Sequence, residues 1–136
     1  MARTDTTAQS EAAEIRTVSE LAFRGLIAAQ YPRNFALHDV FVFDPAVRRV
    51  VNLQVKYRHK ASASYVELRD LEGVDFVVIY RANAGTPIGG REAMQCWVVP
   101  ASAASPGRLN LAQIPDQYLN AWQLVEEACG AIRRET

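Results

Sequence analysis

The sequence predicts an α/β domain in which a mixed β-sheet of about five strands is flanked by an N-terminal and a C-terminal helix. Two observations carry this prediction. Residues 51–57 alternate between apolar and polar side chains, as a strand with one covered face does. Residues 74–80 are almost continuously apolar, which is typical of a strand buried on both faces. Helical patterns occur near the two ends of the chain, so the strands occupy its middle.

The first helix is predicted to begin at Ser10, a favourable N-cap residue, and to end before Gly25. At about 100° per residue its apolar side chains share one arc. Those side chains are Ile15, Val18, Leu21 and Ala22. Glu14 lies inside that arc, whereas Glu20 lies opposite it, with an arginine four residues away on either side. Surface ion pairs explain Glu20, so Glu14 is the acid for which a further role is expected.

Five strands are predicted in the middle of the chain, at residues 36–43, 49–57, 65–68, 74–80 and 94–99. The first three are expected to form a meander. Residues 101–115 are rich in small residues and are interpreted as a linker, after which Asp116 caps a final helix to about Arg133. The apolar stripe of that helix consists of Leu119, Trp122, Val125, Cys129 and Ile132. The stripe is expected to join the core, with a dimer contact through Trp122 as the alternative.

Composition indicates one globular domain at residues 10–136, preceded by a disordered tail at residues 1–9. Hydrophobic residues make up 49% of the 136 residues, and no apolar run reaches the length of a membrane helix. The first ten residues lack the apolar core of a secretory signal, so a cytoplasmic location is expected. Cys96 and Cys129 have no metal-like spacing and are interpreted as reduced, buried thiols. The net charge of zero argues against a strongly cationic protein that coats DNA.

Polar side chains on two neighbouring strands suggest a chemical site. Asp39 lies in the first strand of a predicted hairpin, and Gln54 and Lys56 share one face of the second strand by alternation. A carboxylate would then lie opposite an amide oxygen and an ammonium group. This combination can hold a divalent metal and a phosphate together, which favours hydrolysis of a phosphodiester.

Residues 48–60 form a basic segment that contains no acid. Besides Lys56, its cationic side chains are Arg48, Arg49, Arg58 and Lys60, and these are the predicted nucleic-acid contacts. The alternative is a solvated hairpin edge that its charges protect against aggregation.

Taken together, Glu14, Asp39, Gln54 and Lys56 resemble the active site of the PD-(D/E)xK nuclease superfamily. The resemblance extends over residues 10–100, because a leading helix ends in glycine and further core strands follow the hairpin. It implies a restriction-endonuclease-like fold and a nuclease-like domain at residues 10–136. The expected activity is metal-dependent endonucleolytic cleavage, with DNA as the expected substrate.

The sequence departs from the superfamily pattern at two positions. His38 replaces the proline that usually precedes the first acid, and Gln54 replaces the second acid. A Gln-x-Lys form is known in some members, including bacterial restriction-like proteins and certain intron-encoded homing endonucleases. An amide oxygen can bind a hard cation but supplies no charge, so Glu14 is expected to restore the missing negative charge.

The resemblance implies a site for Mg²⁺ or Mn²⁺. Its expected ligands are Asp39, Gln54 and the main-chain carbonyl of Val55, with Glu14 as a further ligand or a holder of an outer-sphere water. Lys56 is expected to orient or deprotonate the attacking water. A homodimer is also expected, since one such site cuts only one strand.

Two other classes of function remain open from the sequence. One is a binding module that kept the fold and a basic surface but lost efficient metal binding, and its Gln54 and zero net charge favour this. The other is a subunit of a larger bacterial defence or repair assembly. A serine or cysteine hydrolase is disfavoured, because the chain has no Gly-x-Ser-x-Gly motif.

Overall fold

A computed structural model describes residues 7–32, 38–60, 62–82 and 94–130. Within these ranges the helices and strands are, in chain order, α1 (Thr7–Phe23), β1 (Ile27–Gln30), β2 (Val40–Phe43), β3 (Val51–Arg58), β4 (Tyr65–Leu68), β5 (Phe76–Arg81), β6 (Gln95–Pro100), β7 (Gly107–Asn110) and α2 (Trp122–Cys129). In the same ranges, no helix combines the length and apolar character needed to cross a bilayer.

The main sheet has five strands in the order β1-β2-β3-β5-β6. β3 and β5 run parallel, and every other neighbouring pair is antiparallel. The interior strand β5, between β3 and β6, is buried on both faces, as its apolar run predicts. This mixed sheet with two flanking helices confirms the predicted fold class.

Three strand assignments from the sequence were wrong. β1 was not predicted, because a strand of four residues with Ala28 and Ala29 at its centre carries little β-propensity. β4 was predicted as the third strand of a meander, but it pairs antiparallel with β7 in a separate two-stranded sheet, hereafter the ribbon. β7 lies inside the segment interpreted as a linker, where Pro106 before the strand and Gly107 at its start conceal the short pairing run.

Helix α1 begins at Thr7, so residues 7–9 are helical and Ser10 is not its N-cap. The remaining residues of the predicted tail lie outside the described residues. The helix ends as predicted at Gly25, whose φ of +86° is the left-handed conformation that glycine adopts most readily. The N–H of Leu26 closes the turn by donating to the carbonyl of Leu21 at 3.2 Å.

The buried side of α1 is rotated from the predicted arc. Ile15 is 50% exposed, whereas Ala13, Thr17 and Leu21 are buried. Thr17 is polar and was therefore not counted in the arc, but its hydroxyl donates to the Ala13 carbonyl and shares a 2.8 Å hydrogen bond with Tyr80. A satisfied hydroxyl can face the core at little cost.

The second helix is shorter than predicted. Asp116 opens a separate 3₁₀ turn, and α2 begins only at Trp122. The predicted end at Arg133 and the stripe residue Ile132 lie outside the described residues. Trp122 is 4% exposed and packs in the core, so the alternative of a dimer contact through Trp122 was wrong.

The two faces of the sheet are covered by different layers. Helices α1 and α2 pack on one face, over a core that includes Leu21, Val42, Leu53 and Val125. The ribbon packs on the other face, over β5 and β6. Cys96 and Cys129 are free and buried, as expected. The polar face of β3 therefore lies on the ribbon side of the sheet.

Candidate active site

Asp39 lies at the point where β2 and β3 stop pairing. The last ladder pair of these strands joins Val40 and Leu53. Beyond it the N–H of Asp39 donates to the Leu53 carbonyl at 2.9 Å, while the Asp39 carbonyl accepts from Tyr31 on the opposite side. A regular strand residue directs both groups to the same side, so the chain bends at Asp39. A gap between the two strands begins here.

The Asp39 side chain reaches across this gap. Its Oδ2 atom accepts a 2.7 Å hydrogen bond from the main-chain N–H of Val55. In an extended strand the carbonyl of a residue points to the same side as its N–H. The carbonyl of Val55 therefore points toward Asp39 as well, which agrees with its predicted role as a ligand.

Gln54 and Lys56 flank Val55 on β3 and point to the ribbon side of the sheet. Their neighbours Leu53 and Val55 pack instead against the core beneath the helices, as the alternation predicts. Gln54 is 6% exposed, whereas Lys56 is half-buried. Asp39, Gln54 and Lys56 thus occupy one end of the β2–β3 pair.

Burial shifts the charged groups of the site toward their neutral forms. It raises the pKa of Asp39, although the Val55 N–H, the Lys56 ammonium and His38 oppose the shift. Burial also lowers the pKa of Lys56, against the opposing charge of Asp39 and with the help of Arg69. Asp39 and Lys56 are therefore electrostatically coupled, and their mutual attraction does not fully offset the loss of solvent.

Glu14 lies on the helix side of the same region. The side-chain amide of Gln30 donates to Glu14 Oε1 at 2.9 Å and to Glu11 Oε2 at 3.2 Å. Gln30 pairs with Val40, the residue next to Asp39, so these hydrogen bonds tie Glu14 to the strand that lies beside β2. Sequence reasoning missed Glu11 and Gln30. The i,i+3 spacing of Glu11 and Glu14 was a signal for the former, but Gln30 belongs to the strand that was not predicted.

Glu20 makes the surface pair expected of it, with Arg24 at 3.1 Å. Asp75 also has a structural explanation, because its Oδ2 atom accepts from the main-chain N–H of Asn52 at 2.8 Å. These two acids are occupied away from the gap between β2 and β3. Among the described residues, Asp39 and the two acids held by Gln30, Glu11 and Glu14, are therefore the candidates for chemistry in this region.

The donor set around the gap is rich in oxygen but poor in charge. It combines the Asp39 carboxylate, the Gln54 amide and the Val55 carbonyl, which are hard ligands of the kind that Mg²⁺ and Mn²⁺ accept. Across the described ranges, no three side chains of His, Cys, Asp or Glu gather closely enough to hold a metal ion. A cation at this gap would rely on amide and main-chain oxygens besides Asp39.

The basic segment does not lie together as one surface. Arg48 and Arg49 lie at the β2–β3 turn, where Arg49 donates to the Ala128 carbonyl at 3.1 Å. Seven residues of extended chain, about 23 Å, separate Arg49 from Lys56. Arg58 lies near Lys56, where its guanidinium donates to the Tyr65 carbonyl and stacks over the Tyr65 ring at 5.1 Å.

No protein-family model matches this chain, and no curated protein matches it in sequence. Among solved structures, the chain is similar to a bacterial homing endonuclease, I-Ssp6803I. The TM-score is 0.67 and the sequence identity is 16%, over 97% of this chain and 100% of the other. At this identity the similarity shows a shared fold.

Proposed function

We propose that the protein is a metal-dependent endonuclease that hydrolyses phosphodiester bonds in DNA, with a PD-(D/E)xK-type site in its Gln-x-Lys form. The observation that carries this proposal is the hydrogen bond from Val55 to Asp39. It fixes a carboxylate at the gap between two strands, beside an amide and an ammonium group. The similarity to a homing endonuclease supports the same conclusion at the level of the fold.

The roles of the residues follow from their chemistry. Asp39, Gln54 and the Val55 carbonyl hold the cation, and Glu14 adds negative charge from the helix side. Burial favours the neutral amine of Lys56, a form that can accept a proton from the attacking water. In its protonated form, Lys56 offsets the charge that develops on the phosphoryl oxygens.

A divalent cation fits this site on two grounds. The donors are all oxygens, and the raised pKa of Asp39 indicates a carboxylate whose ionised form lacks sufficient compensation. A nearby positive charge would supply that compensation. Bound Mg²⁺ or Mn²⁺ contributes Lewis-acid stabilisation of the phosphoryl group.

The nucleic-acid contacts are proposed in two groups. Arg58 and the exposed Lys60 follow Lys56 along the chain, so they would contact phosphates next to the cleaved bond. Arg48 and Arg49, at the other end of β3, would contact a different part of a duplex. Cleavage of both strands would require two copies of the site, which supports a homodimer on DNA.

A catalytically inactive binding module is the second candidate. The observation that favours it is that, among the described residues, no three side chains of His, Cys, Asp or Glu gather closely enough to hold a metal ion, since affinity for a hard cation rises with the charge of its ligands. Such a module would bind nucleic acid through its basic side chains without cleaving it.

Cleavage assays separate the two candidates. Supercoiled, linear, branched and single-stranded DNA and RNA are incubated with Mg²⁺ or Mn²⁺, and with EDTA as the control. We expect metal-dependent cleavage of at least one DNA substrate, which Asp39→Asn abolishes and Asp116→Asn leaves unchanged. Binding without cleavage by the wild type on every substrate would favour the binding module instead.

A further inference from the structure

The ribbon formed by β4 and β7 has a solvent face that the predicted site does not include. Its inward side chains, Val66 and Leu68, pack on the sheet. By alternation, Tyr65 and Glu67 point outward along β4, and the exposed Arg69 follows the last residue of that strand. The cross-strand partner of Glu67 is Arg108, whose side chain is 64% exposed.

Two arginines share the Tyr65 ring. The Arg108 guanidinium lies 3.9 Å from the ring centroid, and that of Arg58 lies 5.1 Å from it. Arg58 belongs to the main sheet and follows Lys56 by two residues. Tyr65 therefore links the cations of the ribbon to those of the strand that carries the proposed catalytic lysine, and its ring helps to orient both guanidinium groups.

The other end of the ribbon carries a further arginine. Arg69 is exposed and directly follows Leu68, the last residue of β4. Arg58 and Arg108, which share the Tyr65 ring, therefore form with Arg69 a cationic surface that begins two residues after Lys56 and extends along the ribbon. Glu67 partly neutralises this surface through a long ion pair with Arg108 at 3.8 Å, between side chains that are 62% and 64% exposed. Exposed pairs of this kind are weak, so a phosphate can replace Glu67.

We propose that this face of the ribbon, defined by Arg58, Arg69 and Arg108, binds the phosphate backbone of duplex DNA beside the cleaved bond. The inference rests on the proposed function and adds the surface that holds the substrate. A two-stranded ribbon fits against a groove about 12 Å wide. The three arginines therefore position the duplex through its phosphates.

The test compares charge changes on the ribbon with the same changes on α1. Arg108→Ala and Glu67→Gln alter the ribbon pair. Arg24→Ala and Glu20→Gln alter a control pair on the helix side of the sheet, where Arg24 contacts Glu20 at 3.1 Å and also Glu126 of α2 at 3.5 Å. Affinity for a fluorescent duplex of about 30 base pairs is measured with Ca²⁺ in place of Mg²⁺ over a range of salt concentrations. Thermal unfolding of each variant shows that it is folded.

The two ribbon variants are expected to change the affinity for the duplex in opposite directions. Arg108→Ala should weaken binding of the duplex about threefold or more. The number of counterions released on binding, obtained from the salt dependence of the affinity, should fall by about one. Glu67→Gln should strengthen binding, because it removes a competing acid and leaves Arg108 available. The α1 variants should match the wild type.

Three results would overturn the inference. If Arg108→Ala and Glu67→Gln bind like their α1 controls while the wild type still binds and cleaves DNA, the ribbon surface is wrong and the proposed function stands. If the wild type neither binds nor cleaves any nucleic acid, both are wrong. Equal weakening by Arg108→Ala and Arg24→Ala would reveal a general charge effect and would also contradict the ribbon.

Discussion

The main-chain N–H of Val55 donates a 2.7 Å hydrogen bond to Asp39 Oδ2, beyond the last ladder pair of β2 and β3. A backbone group that would lose its ladder partner thereby gains a carboxylate. The same bond holds Asp39 in a half-buried position, where its ionised form is disfavoured. This one hydrogen bond therefore lies where β2 and β3 separate, gives the Val55 N–H a partner and holds the Asp39 carboxylate.

Asp39→Asn should stabilise the protein while it removes activity. Burial raises the pKa of Asp39 despite the attraction of Lys56, so a neutral side chain suits this position better than a charged one. Asparagine retains an oxygen that can accept from Val55. We expect the midpoint of thermal unfolding in EDTA to rise by a few degrees. A lower midpoint would show that the Asp39–Lys56 attraction outweighs the cost of burial.

The same two groups predict a pH dependence of stability. The folded protein binds the Asp39 proton more tightly than the unfolded chain, so this residue lowers the free energy of unfolding as pH rises from about 3.8 through the raised pKa. Lys56 behaves in the opposite way, because the folded protein binds its proton less tightly than the unfolded chain does. Its contribution to the free energy of unfolding therefore increases as pH rises through the lowered pKa to about 10.5.

Urea unfolding of the wild type and of Asp39→Asn at a series of pH values isolates the effect of Asp39 on stability. The difference in the free energy of unfolding that favours Asp39→Asn should be absent below about pH 3.8 and should grow above it. An advantage that does not change with pH would mean that the carboxyl group is not the cause.

Gln54→Glu should increase metal affinity and reduce stability without metal. The position is 6% exposed, so a carboxylate here is buried close to Asp39. We expect a lower unfolding midpoint in EDTA, recovery on addition of Mg²⁺, and Mn²⁺ affinity about tenfold higher by calorimetry. Gln113→Glu, at an exposed position, is the control. Destabilisation that Mg²⁺ does not reverse would contradict a cation site at Gln54.

Glu14→Gln should reduce cleavage, whereas Glu20→Gln should not. Glu14 accepts a hydrogen bond from Gln30, whose strand partner Val40 is the neighbour of Asp39. Glu20 instead pairs with Arg24 on the surface. We expect single-turnover rates about tenfold or more lower for Glu14→Gln, with a higher concentration of Mg²⁺ needed for half-maximal rate. Equal rates for the two variants would remove Glu14 from the site.

The sequence was sufficient to predict the hairpin of β2 and β3, which carries the candidate site. Alternation in β3 assigned Gln54 and Lys56 to one face of the sheet. The apolar run of β5 identified a strand that is buried on both faces. These signals arise from burial, which acts on every residue of a long strand and leaves a regular pattern. The face of Glu14 followed from helical periodicity even though the exact arc was rotated, because Thr17 is polar yet buried.

Shorter elements and long-range pairing were not predictable in the same way. β1 and β7 have four residues each, too few for a periodic signal. β4 was recognised as a strand, but its partner lies about 40 residues later in the chain, and nothing local specifies that pairing. As a result Gln30, Arg69 and Arg108 could not be assigned to the site from the sequence, since their positions depend on those pairings.

The most direct test of the proposed function is single-turnover cleavage of DNA by the wild type and by Lys56→Ala, with duplex affinity measured separately in Ca²⁺. Lys56 lies next to the Val55–Asp39 bond and is coupled to Asp39. We predict that the variant loses about a hundredfold or more in cleavage rate while it binds DNA within a few-fold of the wild type. Cleavage by Lys56→Ala at the wild-type rate would contradict a catalytic centre at the gap between β2 and β3.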